Sequence, residues 1–87
     1  MELSGKVVAV TGGGTGIGAG IARVLAEAGC KVTVGGRRLE PLEALAKSVS
    51  APHPIRTHAI DVASLESIDA FFQDVRSQVG DVDILAA

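Results

Sequence analysis

The sequence predicts an α/β fold of the doubly wound type, a parallel sheet with helices on both faces. Three observations point to it. Short β-branched runs alternate with stretches of helical periodicity along the whole chain. The first run stops at a cluster of glycines that leads directly into a helical pattern. Hydrophobic residues make up 47% of the 87 residues, with two Phe and no Trp or Tyr, so the core must be aliphatic, as in a buried parallel sheet under Leu/Ala helices.

Strand one is expected at Lys6–Val10, too short for a helix and apolar on both faces. Helix one follows the glycines, with a stripe at Ile17, Ile21, Val24, Leu25 and Ala28 and a left-handed stop at Gly29. Strand two is expected at Lys31–Val34, closed by Gly35 and Gly36. Helix two is marked by Leu39, Leu42, Leu45, Ala46 and Val49, with Pro41 near its start, where a missing N–H costs little. Ile55–Ile60 reads as an edge strand, being polar at Arg56, Thr57 and His58. Ser64 is a good N-cap for helix three, whose stripe is Leu65, Ile68, Phe72, Val75 and Val79 and whose end is Gly80. Val82–Ala86 completes the pattern β-α-β-α-β-α-β as strand four. The doubly wound order is 3-2-1-4, with helices one and two on one face, helix three on the other, and a crevice at the carboxyl ends of strands one and four.

The run Thr11-Gly12-Gly13-Gly14-Thr15-Gly16-Ile17-Gly18 sits at that crevice, between a buried strand and a helix. Glycine there allows an unusual φ, close approach of backbone N–H groups to a pyrophosphate, and tight helix-on-strand packing. The helix N-terminus adds unpaired N–H groups and the positive end of its dipole. Gly12, Gly14, Thr15, Gly16, Ile17 and Gly18 are therefore candidate cofactor contacts. No Gly-Lys-Ser/Thr follows the glycines, which excludes a P-loop.

Cofactor choice is read at the end of strand two, about 20 residues past the turn. Gly36 stands where an NAD-selective site has an acid, and Arg37 and Arg38 follow. A guanidinium meets a 2′-phosphate with paired charge-assisted bonds, so NADP is expected over NAD, with Arg37 the stronger candidate because it follows the vacant acid position directly.

These residues carry a family resemblance. Thr-Gly-x-x-x-Gly-x-Gly at Thr11 to Gly18, Asp61-Val62 after strand three and Asp83-Ile84-Leu85 in strand four resemble the short-chain dehydrogenase/reductase family, with its Rossmann-type fold, from Lys6 to the last residue. The resemblance implies that Gly12, Gly16 and Gly18 form the pyrophosphate turn. It also implies that Asp61 and Val62 lie along the adenine, the Asp61 carboxylate accepting from the exocyclic amine. Taken alone, Asp61 would more often be a helix-cap or turn acid than a ligand contact, because the dipole favours an acid beside a helix start; the family spacing reverses that preference. The family usually continues after strand four with Asn-Asn-Ala-Gly, and Ala87 stands at the first asparagine. Its catalytic serine, Tyr-x-x-x-Lys pair and active-site asparagine would all lie beyond residue 87.

Residues 1–87 are thus expected to be the dinucleotide-binding portion of a longer NADP-dependent oxidoreductase, truncated before the catalytic segment. That enzyme would move hydride to or from a carbonyl, alcohol or activated alkene, and the family resemblance implies a homo-oligomer at full length. The alternative is a non-catalytic dinucleotide-binding module or cofactor sensor. A net charge of -2 offers no field for nucleic acid, no apolar run reaches the length of a membrane span, and no basic, apolar and cleavage regions form a secretion signal. The lone Cys30 suits a reducing, cytoplasmic setting and reads as a small buried residue, and His53 and His58 have no partner at metal or catalytic spacing, so no metal site is expected.

With no catalytic residue to name, the 87 residues alone are expected to be silent toward any alcohol or ketone. NADPH oxidation by this chain with a carbonyl substrate, above a Gly16→Val control, would overturn that expectation.

Overall fold

The computed structural model describes residues 2–12 and 16–87. Its elements are β1 (Val7–Thr11), α1 (Gly16–Glu27), β2 (Lys31–Gly36), α2 (Leu39–Ser48), β3 (Arg56–Ala59), α3 (Leu65–Gln78) and β4 (Ile84–Ala86). The sheet has the expected order β3-β2-β1-β4, and every neighbouring pair is parallel. Val8 sits level with Val32 on one side and Ile84 on the other, so β1 is paired along both edges.

Burial follows from that position. Val7 to Val10 are all buried, because alternate side chains enter opposite helical layers. Val8 and Val10 join Val32, Val34, Ala22, Ala26, Leu42, Leu45 and Val49 under α1 and α2. Val7 and Ala9 join Ile60, Phe71 and Val75 under α3. Helices one and two therefore share a face and helix three has the other, as the pattern predicted. No helix among the described residues is long and apolar enough to cross a membrane.

Three local expectations are corrected. Strand two does not close at Val34 but runs through Gly35 and Gly36, which pair with His58 and Ala59. The buried face of α1 is not the predicted stripe: Ala22 and Ala26 are fully buried, while Ile17 is 84% and Val24 63% exposed. Alanine lets the helix approach β1 and β2 closely, and larger side chains are turned outward. In α3 the fully buried aromatic residue is Phe71, with Phe72 only half-buried, and Leu65 is 84% exposed on the first turn.

The helix ends follow local chemistry. Gly29, at φ +97°, ends α1 with paired bonds from Gly29 N–H to the Ala26 carbonyl and from Cys30 N–H to the Leu25 carbonyl. The Ser64 hydroxyl accepts from Ser67 N–H at 3.2 Å and caps α3.

Gly35 is required by crowding. A Cβ there would lie 2.7 Å from Phe71 Cε1 and 2.8 Å from Ile60 Cγ2. Both neighbours are buried and neither can swing into solvent. Gly35→Ala should destabilise the protein by about 1–3 kcal/mol through overpacking. The expected readout is a lower urea midpoint at unchanged slope; a midpoint equal to wild type would show that the α3 layer yields freely.

Candidate functional site

In a parallel sheet all strands end at one edge, and two concavities lie along that edge here. The first, of about 280 Å³, is lined by Val10, Thr11, Gly12, Ile17, Gly18, Ile21, Ala86 and Ala87. It occupies the crevice between the carboxyl ends of β1 and β4, where neighbouring connections leave in opposite directions. Gly12, directly after β1, and Gly16, at the start of α1, have φ +71° and +63°, a backbone region that other residues rarely adopt. A Cβ at either would meet nothing within 4 Å, so glycine is demanded there by conformation and not by helix packing. Gly12 N–H donates to the Gly35 carbonyl at 2.8 Å, which ties the turn to β2 and removes that donor from any anion site.

The remaining donors are at the start of α1. Its first N–H groups have no partner within the helix, and its first turn carries no acidic side chain to oppose an anion. Gly16, Ile17 and Gly18 belong to this end, and Ile17 and Gly18 line the crevice. Gly14 and Thr15, also expected at the site, lie outside the described residues.

The second concavity, of about 310 Å³, is lined by Arg37, Ala59, Ile60, Asp61 and Ser67. It brings together two of the expected residues that are 24 positions apart in sequence. Asp61 is held firmly. Its N–H donates to Ser67 Oγ at 2.8 Å, its Oδ1 accepts from Ala63 N–H at 3.0 Å and its carbonyl accepts from Ser64 N–H at 3.0 Å. The other carboxylate oxygen has no hydrogen-bond donor among the described residues and is available to accept one.

Arg38 and Val62 fall outside both concavities. Arg38 occupies the N-cap position of α2 in an extended conformation without a side-chain capping bond, and Val62 is 64% exposed. Ser67 is the residue that sequence reasoning missed. Its signal was a second hydroxyl three residues past the Ser64 cap, placed where it can reach back to the preceding turn. Cys30 lies at the far end of β2, buried and donating to the Leu3 carbonyl at 3.2 Å, and burial pushes its thiol pKa up. No group of three His, Cys, Asp or Glu among the described residues could hold a metal ion.

Residues 6–87 match the family model described as short chain dehydrogenase. The chain belongs to the short-chain dehydrogenase family. Its relatives include the glycine betaine reductase ATRR of Emericella nidulans, 41% identical over 98% of this chain and 7% of that protein. Among solved structures, a metagenomic short-chain oxidoreductase in complex with NADP superposes with a TM-score of 0.90 at 37% identity, over 98% of this chain and 39% of that one. The L-sorbose reductase of Gluconobacter frateurii, complexed with NADPH and L-sorbose, gives 0.88 at 36% identity over 98% and 34%. This short-chain dehydrogenase chain thus spans well under half the length of the proteins it matches. Its sheet order is that of the short-chain dehydrogenase structures on which it superposes.

The Ser67–Asp61 bond should control the local order of the second concavity. Ser67→Ala removes a bond worth about 0.5–1.5 kcal/mol. Amide exchange at Asp61 should become roughly two- to tenfold faster with exchange in the β1 core unchanged; equal exchange at Asp61 would show that the Ser64 and Ala63 bonds hold the turn alone.

Proposed function

We propose that this chain is the NADP(H)-binding front portion of a short-chain oxidoreductase that moves hydride to or from a carbonyl, alcohol or activated alkene. The observation that carries the reading is the placement of Arg37 and Asp61 in one concavity at the carboxyl edge of the sheet, with Gly36 where an acid would select NAD. The NADP and NADPH bound to the two structural relatives support the same cofactor.

The residues divide the work by charge. The N–H groups at the start of α1 and the positive end of its dipole receive the pyrophosphate, and Gly12 and Gly16 supply the turn that lets the cofactor backbone approach. Arg37 offers a planar fork to the 2′-phosphate, with no carboxylate at Gly36 to repel it. The free oxygen of Asp61 accepts from the adenine amine while Ser67 holds the Asp61 backbone in place. Arg38, at the α2 N-cap, is left to solvent or to the outer edge of the phosphate, and Val62 lies beside the adenine plane. NADPH supplies the hydride when bound, and the protein's part here is to orient it and fix its ends.

A charge-assisted hydrogen bond contributes about 1.5–3 kcal/mol. Arg37→Ala in the full-length protein should therefore weaken NADP by about tenfold to a hundredfold and leave NAD nearly unchanged, as read by titration of both cofactors. Equal weakening of both, or of neither, would remove the NADP assignment.

A further inference from the structure

At the opposite edge of the sheet, where the strands begin, lies a third concavity of about 390 Å³ on the α3 side of β2 and β3. Lys31 opens β2 and Arg56 opens β3, and Arg56 pairs in register with Thr33. Lys31 and Thr33 alternate onto the face where Gly35 meets Phe71, so the two cations come to one end of one layer. Both line the concavity, together with the His53 imidazole.

The cations are in different states of engagement. Arg56 donates to Asp74 Oδ2 at 3.0 Å and to Thr33 Oγ1 at 3.4 Å. These contacts hold the guanidinium plane and use two of its five N–H donors. Lys31 faces no carboxylate within bridging distance among the described residues, where the ion pairs are Arg56–Asp74 and Arg76–Asp81. His53 likewise has no hydrogen-bond partner among them. Against two full positive charges stand Asp74 and the C-terminal end of α3, which carries roughly half a negative charge. The balance is positive in a chain whose net charge is -2. Pro54 and Val79 give the concavity an apolar wall, and Gln78 adds an amide that can donate or accept.

We propose that this concavity is a second ligand site, for a small organic anion. Its phosphate or carboxylate group sits between Lys31, His53 and Arg56, and its apolar body lies against Pro54 and Val79. The site is built from the amino ends of the strands, so it does not rest on the dinucleotide reading and is not expected to compete with it.

The test is a titration of the protein with phenyl phosphate, benzoate and neutral benzyl alcohol, followed through the amide resonances of Lys31, Arg56 and Gln78. At least one anion should give saturable shifts at these amides, and benzyl alcohol should not. Tighter binding of phenyl phosphate identifies a phosphorylated ligand, and tighter binding of benzoate a carboxylate. Lys31→Ala should weaken the bound anion by about tenfold at these resonances. Absence of saturable shifts with both anions, equal affinity in wild type and Lys31→Ala, or equal binding of benzyl alcohol would each overturn the proposal.

Discussion

The structure depends on the double burial of β1. Its four valine and alanine side chains from Val7 to Val10 enter two separate cores, and both of its edges carry hydrogen-bonded neighbours. Each fully buried valine is worth about 1.5–3 kcal/mol, a large share of the ~5–15 kcal/mol net stability of a domain. A polar side chain anywhere in Val7–Val10 would face a helix layer whichever way it pointed. The strand must therefore be apolar throughout, and the turn chemistry is confined to the residues after Thr11.

Gly12 inherits its position from this strand. It leaves β1 directly and is bonded back to Gly35, so it is referenced to two strands at once. Gly35 is itself pressed against Phe71 and Ile60, which connects the geometry at the carboxyl edge to the α3 layer. At the amino edge Asp83 plays the matching part. Its carboxylate accepts from Val7 N–H at 2.9 Å and its own N–H donates to the Val7 carbonyl at 2.8 Å, locking β4 onto β1 just before their ladder begins. The family motif at Asp83-Ile84-Leu85 thus has a local structural cause here.

Parallel packing also gives the two edges of the sheet different chemistry. The carboxyl edge collects glycine turns, a helix N-terminus, Arg37 and Asp61. The amino edge collects Lys31 and Arg56 beside the end of α3, where cations are favoured by the helix dipole. An antiparallel arrangement would have mixed these groups along both edges.

Much of this was legible in the residues alone. Alternation of β-branched runs with helical periodicity determined the element order, and the right-handed crossover rule then left the order 3-2-1-4 as the economical arrangement. The glycine turn, the Ser64 cap and the stop at Gly29 are local features, decided by φ and by hydrogen bonds a few residues long, and they were readable for that reason. Which side of α1 is buried was decided by tertiary structure, because Ala22 and Ala26 win their place through close approach to the strands and not through hydrophobicity. The extension of β2 through Gly35 and Gly36 was decided the same way, since β3 supplies the ladder that two glycines cannot specify. The meeting of Arg37 with Asp61 and Ser67 in one concavity, and of Lys31 with Arg56 in another, joins residues distant in sequence. It exists only because adjacent parallel strands start and end together.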